Sequence, residues 1–352
     1  MHAKDQPIEG PGDLVAYFRA GEKPRANWRV GTEHEKVGVY ADTGDRVPYE
    51  GPYGIAALFD RLVTDGGWER VDERGRTIAL DSPSRGSITL EPGGQFELSG
   101  APLHTTDETC RELHAHLEQV KRLSEDFGIA WLALGMDPFH PVDEIPIVPK
   151  ARYEVMRAYL PTRGALGLDM MHATATVQAN FDYANEADMV EKMRLGVSAS
   201  PVVSALFANS SLSAGRENGF VSKRLMIWRD TDPDRCGQIP FVFEPDFGYE
   251  RYVRWALDVP LFFVVRDKRY EAGDGTTFRQ FMERGFRGLR PTLGDWETHL
   301  TTLFPDVRLK RIIEVRGADV AGAGHICALP AVWKGLFYDA DARAGPGSCS
   351  GA

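Results

Sequence analysis

The chain has 352 residues, 43% hydrophobic and 26% charged, which suits one large globular domain or two ordinary ones. A formal net charge of −10 argues against a nucleic-acid or anionic-membrane partner. The most apolar runs, 129–134 and 261–265, are far too short to span a bilayer, and residues 1–7 lack the apolar core of a secretory signal, so a soluble cytoplasmic protein is expected.

The first patterned segment runs from Val30 to Val39 as Val-Gly-Thr-Glu-His-Glu-Lys-Val-Gly-Val. Residues two apart on a strand share a face, so Glu33 and Glu35 project together with Val37 and Val39. That parity places them on the more buried side, with His34 and Lys36 on the other. A helix is expected near 54–63. Then Ser87, Thr89 and Glu91 oppose Ile88 and Leu90, and after a Pro92-Gly93-Gly94 turn Gln95, Glu97 and Ser99 oppose Phe96 and Leu98. Residues 107–127 form an amphipathic helix, with Cys110, Leu113, Leu117, Val120, Leu123 and Phe127 at three- and four-residue steps. Thr105 with Glu108 makes a capping box and Gly128 a stop. His114 and His116 fall on this helix as surface or edge residues, and a strand at 129–134 follows.

The cleanest alternation spans Ala173–Tyr183. Thr174, Thr176, Gln178, Asn180 and Asp182 share one face, opposite Ala173, Ala175, Val177, Ala179, Phe181 and Tyr183. Further helices are expected near 187–195, 202–208, 249–256 and 295–303, and strands at 239–243, 261–266 and 309–316. On the last strand Lys310, Glu314 and Arg316 share a face opposite Ile313 and Val315. Irregular alternation of helices and period-two strands fits an α+β fold with an antiparallel sheet better than a doubly wound one. From Asp339 onward the chain has no hydrophobic period, and residues 339–352 are expected to be a disordered, low-complexity tail.

The polar strand faces carry Thr, Gln, Asn and Glu rather than the mixed Lys and Glu of a solvated surface, which favours a pocket lining over a wet sheet face. Carboxylates cluster on a half-buried face only when a cation neutralises them. With no Cys/His ligand cluster, the cation is Mg2+ or Mn2+ rather than zinc, and ATP is its natural companion. There is neither a Gly-x-x-x-x-Gly-Lys-Ser/Thr loop nor a dinucleotide fingerprint. Phosphates would then be held by metal and arginines, Arg316 foremost. Arg152 and Arg224, near element ends, read by themselves as surface arginines, although guanidinium groups also suit a substrate bearing carboxylates. Cys110, Cys236, Cys327 and Cys349 lack metal-type spacing and read as free thiols in a reducing compartment.

Five stretches in order, Gly31–Lys36, Leu90–Pro102, Gly167–Met171, Trp228–Asp232 and Val315–Asp319, resemble glutamate–cysteine ligases of the plant and proteobacterial type, and the likeness runs from about Asp13 to Tyr338. The resemblance implies a fold related to the glutamine synthetase catalytic domain, a curved, mainly antiparallel sheet with the active site on its concave face and helices at its flanks, as one catalytic domain over residues 1–338. It implies ATP-dependent ligation of the L-glutamate γ-carboxylate to the L-cysteine amine through γ-glutamyl phosphate, giving γ-glutamylcysteine, the first step of glutathione synthesis. It makes Glu33, Glu35, Glu91, Glu97 and Glu314 Mg2+ ligands, Arg316 a phosphate contact, and Arg152 and Arg224 glutamate-binding residues. Gln178 and Asn180 occupy the strand that lines the pocket, and Glu33, Glu91 and Arg316 form the catalytic core. The protein is expected to work as a monomer or homodimer, without nucleic acid or membrane.

The same resemblance pairs Cys110 with Cys327 in a disulfide. Family members continue past Tyr338 with helical sequence, where this chain has its low-complexity tail. Helices that cover the sheet are therefore expected to be missing, with apolar surface exposed and stability reduced. A ligase with a different amine acceptor and a non-catalytic nucleotide-binding remnant are the alternative readings.

Overall fold

The computed structural model describes residues 5–267 and 269–344. In chain order its elements are α1 (Pro11–Arg19), β1 (Val30–Tyr40), α2 (Ile55–Asp65), β2 (Glu69–Glu73), β3 (Arg76–Ser82), β4 (Gly86–Leu90), β5 (Phe96–Ser99), α3 (Thr106–Ser124), β6 (Ile129–Leu132), α4 (Ala151–Tyr159), α5 (Gly167–Ala173), β7 (Val177–Phe181) and α6 (Glu186–Leu206). They continue with β8 (Leu212–Ser213), β9 (Arg216–Glu217), α7 (Lys223–Arg229), β10 (Cys236–Gly237), α8 (Tyr249–Asp258), β11 (Phe263–Arg266), β12 (Arg269–Ala272), α9 (Phe278–Arg284), α10 (Leu293–Thr301), β13 (Phe304–Pro305), β14 (Val307–Leu309), β15 (Ile313–Val315), α11 (Ala328–Tyr338) and α12 (Ala340–Ala344).

The architecture is α+β. Eight strands follow the order β14-β15-β7-β1-β5-β4-β3-β2, and β6 joins as a ninth at the far end of β1. Every pairing within this sheet is antiparallel. β1 is the spine: its first half pairs with β5 and β7, its last four residues with β6. Both faces of β1 are covered. His34 and Lys36 are 2% and 1% exposed, so the expectation that they face the less buried side is corrected. The reason is α3, which packs on that face and lays the His116 ring against Phe96, with centroids 6.2 Å apart. His116 is accordingly buried, not a surface residue, whereas His114 is exposed. The α3 boundaries follow from its caps: the Thr105 hydroxyl accepts from Glu108 N, the Glu108 carboxylate accepts from Thr105 N, and Gly128 takes the left-handed φ of 67° that ends the segment.

Several expected boundaries shift. The strand expected over 173–183 is ordered as a ladder only over β7, because Ala173 closes α5 and the residues between make isolated bridges, Thr174 to Met136 and Thr176 to Asp319. The strand expected over 309–316 is a hairpin, β14 and β15, in which Arg308 faces Glu314. The strand expected over 239–243 is instead a 3-10 helix, Pro240–Phe243, since Pro240 brings no N–H to a ladder but fits a first helical turn. The two helices expected at 187–195 and 202–208 are the single helix α6, which carries Pro201 inside it. In the expected tail, residues 340–344 are helical, Asp339 accepts from Asp341 N and Ala342 N at their start, and residues 345–352 lie outside the described residues.

The sheet is not bare. α11 packs against β7, with the Phe181 ring 5.2 Å from Phe337 and 5.5 Å from Tyr338. The Tyr338 hydroxyl accepts from Asp182 N at 2.7 Å and donates to Arg29 O at 2.6 Å, which ties α11 to the strand ends. Exposed apolar side chains gather instead at the end of α6 and before α7, at Val202, Leu206 and Val221. A disulfide joins Cys110 on α3 to Cys327 at the start of α11, with Cα atoms 5.4 Å apart, and Cys236 is free. Among the described residues no helix is long and apolar enough to cross a membrane.

Candidate active site

The strand register decides which polar side chains meet. Glu33 lies opposite Ser99 on β5 and Gln178 on β7, and Glu35 lies opposite Glu97, which in turn faces Thr89 on β4. Asn180 faces Gly31 on one side and Glu314 on the other. Because these residues share strand parity, the rows stack on one face of the sheet. A cavity of about 280 Å³ opens there, lined among others by Glu33, Glu35, Glu91, Glu97, Gln178 and Arg316.

A tight turn holds the β4–β5 end in place. Gly94, at φ 79°, donates to Glu91 O, and Glu91 N donates to Gln95 O. The Gln95 side chain accepts from Gly93 N and donates to Met171 O and Thr174 O, so the turn is pinned to the end of α5. The approach leaves no room for a side chain at position 93, where a Cβ would sit 2.1 Å from His172 O. Lys150 and the Tyr153 hydroxyl, both at the start of α4, donate to Leu90 O at 2.8 and 2.7 Å. Glu91 and Glu97 are thus presented from a rigid corner.

The opposite wall is cationic. Arg224, on the first turn of α7, is 2% exposed and donates through its two terminal nitrogens to the carbonyls of Arg316 and Gly317. Arg152 lies on the first turn of α4. The Nε atoms of both arginines, and the indole nitrogen of Trp228, are buried with no hydrogen-bond partner, although all three side chains line the cavity. Three unpartnered donors on one wall suit an anionic ligand. Arg316 donates to Gln178 Oε1 at 2.7 Å and to Glu314 Oε1 at 2.6 Å.

Glu314 and Asn180 do not line the cavity. Glu314 is fully buried, and its oxygens are taken by Arg308 (2.8 and 2.7 Å), Arg316 and Lys310. Burial would push its pKa up, but the charges of Arg308, Lys310 and Arg316 hold it well below the usual carboxylate range. It therefore anchors three cations, and its expected place among the metal ligands is not what this geometry favours. Asn180 donates to Glu33 Oε1 at 2.9 Å and sets that carboxylate's orientation.

The remaining carboxylates behave in the opposite way. Burial, then the nearby Glu314 charge, pushes the Glu33 pKa up. Burial, then Glu91 and Glu97, pushes Glu35 well up, and burial with Glu91 and Glu33 pushes Glu97 up to about 8. Among the described residues no three of these carboxylates bring one oxygen each within 4.8 Å of one another. Like charges at this range repel, and a cation is what draws them together. The donors are all oxygens, which fits a hard divalent ion such as Mg2+ and not a soft one.

A second cavity, about 610 Å³, shares Arg152, Thr301 and Lys310 with the first and is walled by Tyr17, Phe263 and Tyr270. A larger groove of about 930 Å³ runs along α3 beside Trp68 and Leu98 and holds none of the sequence-predicted site residues. Sequence reasoning missed Arg308, Lys150, Tyr153 and Trp228. For Arg308 a signal existed: it shares parity with Lys310 and with Glu314 across the hairpin, but the expected strand began one residue after it.

Residues 29–347 match the family described as glutamate-cysteine ligase family 2. Glutamate–cysteine ligase B, chloroplastic, of Oryza sativa subsp. japonica is 50% identical over 330 residues, 93% of this chain and 66% of that protein. The chloroplastic glutamate–cysteine ligase of Brassica juncea is 49% identical over 332 residues, 94% of this chain and 64% of that protein. The chain thus spans a little under two thirds of the length of these curated relatives. A solved glutamate–cysteine ligase of Francisella tularensis, in complex with AMP, aligns at a TM-score of 0.43 and 15% identity over 84% of this chain and 61% of that one, a likeness too low to carry an inference. The expectation of a cytoplasmic protein is overturned by the curated relatives, whose names place them in chloroplasts.

Proposed function

The chain belongs to glutamate-cysteine ligase family 2, and from that premise we propose that it ligates the L-glutamate γ-carboxylate to the L-cysteine amine at the expense of ATP, as the first step toward glutathione. The observation that carries this reading is the cavity itself, where Glu33, Glu35, Glu91 and Glu97 face Arg152, Arg224 and Arg316 across the sheet. Residues 1–338 act in it as one catalytic domain. A carboxylate is a poor acyl donor until phosphate becomes its leaving group. The γ-carboxylate takes the terminal phosphoryl of ATP and releases ADP. The cysteine amine then attacks the acyl carbon, phosphate departs, and the nitrogen loses a proton.

In this reading Glu33, Glu35, Glu91 and Glu97 hold Mg2+, or Mn2+ in its place, which supplies charge neutralisation for the phosphate oxygens. Arg316, steadied by Gln178 and Glu314, faces the transferred phosphoryl and stabilises its spreading charge. The unpartnered Nε groups of Arg152 and Arg224 hold the glutamate carboxylates and fix its orientation. The adjoining cavity with its aromatic wall takes the nucleoside part of ATP. Glu33, Glu91 and Arg316 are the residues on which turnover depends most.

The test is ADP release by the purified chain with Mg2+ and ATP, omitting each amino acid in turn. Release that needs both glutamate and cysteine is expected, and release indifferent to cysteine would overturn the reading. Glu91→Gln should lower kcat by about 100-fold or more, as loss of a charge-stabilising ligand does, with an unchanged thermal midpoint.

A further inference from the structure

Away from the cavity, three soft-metal donors converge at the junction of α3 and α11. Cys110 and His114 lie one turn apart on α3, and Cys327 comes from the residue preceding α11, 217 positions from Cys110. The Nδ1 atom of His114 is 3.5 Å from the Cys110 sulfur and 3.8 Å from the Cys327 sulfur. His114 is exposed and the two cysteines are half-buried, so the cluster opens to solvent.

We propose that, once the disulfide is reduced, Cys110, Cys327 and His114 form a binding site for a borderline-soft divalent cation such as Zn2+, with water in the fourth position. The argument is metric. Tetrahedral zinc with Zn–S of about 2.3 Å and Zn–N of about 2.0–2.1 Å separates sulfur from nitrogen by about 3.6 Å and sulfur from sulfur by about 3.8 Å. The two sulfur–nitrogen distances already match. Only the sulfurs must part, and both sit at helix starts or faces where a rotamer change moves them without moving a strand.

The chemistry balances with a dithiol as reductant. It gives two electrons to the sulfur–sulfur bond and becomes its own disulfide, while Cys110 and Cys327 take up its two protons as thiols. Binding of the cation releases those two protons and leaves two thiolates on the metal. In the disulfide form His114 Nδ1 lies 2.9 Å from Cys110 O and can donate to it. Metal binding takes the Nδ1 lone pair, so the ring proton resides on Nε2. The oxygen-donor cavity and this sulfur–nitrogen cluster select different ions, so the two sites do not compete.

The test uses the full chain in a Cys349→Ser background, which removes the thiol of the terminal segment. The protein is reduced with a dithiol, freed of reductant anaerobically, and titrated with Co2+. One equivalent should raise a sulfur-to-cobalt charge-transfer band with intense tetrahedral visible bands, absent from the unreduced protein. His114→Ala, at an exposed position, should weaken binding by at least about tenfold, and Cys110→Ser should remove the two-sulfur spectrum. No band in the reduced chain, or an equal band and affinity in His114→Ala, would overturn the proposal. If Cys110→Ser fails to fold, the reduced, unreduced and His114→Ala samples decide the matter alone, and because the readout is optical it is independent of ligase turnover.

Discussion

Arg308 grips both oxygens of Glu314, Nε to Oε2 at 2.8 Å and Nη2 to Oε1 at 2.7 Å, across the β14–β15 hairpin. The bidentate pair is 6% and 0% exposed, and Arg308 spends its last terminal nitrogen on the carbonyls of Thr301 and Leu303. A carboxylate held this way has little left for a metal.

Glu314→Gln should therefore destabilise the protein even in a chelator, by about 3–5 kcal/mol, because Arg308, Lys310 and Arg316 would lose a common partner in a buried place. Urea unfolding in EDTA measures this. A variant as stable as the parent would return Glu314 to the metal ligands.

Glu97→Gln should do the reverse. Glu97 faces Glu35 directly across β5 and β1, and burial beside the other carboxylates makes its ionisation costly when no cation is bound. In chelator the variant should unfold at a higher midpoint than the parent. In Mg2+ at a hundred times its Kd the parent should gain about 2.7 kcal/mol, and the variant clearly less. A fall in stability in chelator would contradict this account of the carboxylate face.

Gly93→Ala should cost about 1–3 kcal/mol and reduce kcat/KM together, since its Cβ would collide with the backbone of His172 and lift the corner that carries Glu91 and Glu97. Gly322→Ala, which meets open space, is the control and should leave both quantities unchanged. Equal behaviour of the two variants would mean that the turn is looser than the distances imply.

His299 supplies a pH dependence away from the site. Burial holds its imidazole down to about 3, with Nε2 donating to Ala256 O at 2.8 Å, while an unfolded histidine titrates near 6.5. Between these values the unfolded chain binds a proton that the folded one refuses, so the contribution is present above pH 6.5 and is lost as pH falls toward 3. The stability advantage of the parent over His299→Gln should shrink by about 1.4 kcal/mol per pH unit below about 6.5. Parallel urea series at pH 7, 6 and 5 test it, and a constant gap would refute it.

Much of the site was legible because strand parity is a local property. Glu33 with Glu35, and Gln95 with Glu97, needed only alternation. Glu314 with Arg316 kept its common face even though the expected single strand is a hairpin, since a three-residue turn between Leu309 and Ile313 preserves the register. What sequence could not supply was the third dimension. Nothing near Lys36 announces that α3 will bury it, and the parity that links Arg308 to Glu314 becomes a contact only once the hairpin brings them face to face. Tyr153 and Lys150 likewise gain their place only when α4 lands on Leu90. The expected division of α6 failed for a complementary reason: Pro201 disfavours a helix interior locally, and the packing of Met193, Val197 and Val203 outweighs it.

The cavity also has an order in time. Its four lining carboxylates are all made within the first hundred residues, whereas its arginines come from residues 152 to 316. At about 5–20 residues per second, the ~200 residues between Glu97 and Arg316 take on the order of 10–40 s to synthesise. For that interval the nascent chain presents an acidic half-sheet whose cationic wall is still incomplete. β7 must then add to the open edge of β1, and β15 to that of β7, so a ribosome pause between Glu97 and β7 prolongs the exposure of β1 and one between β7 and β15 that of β7.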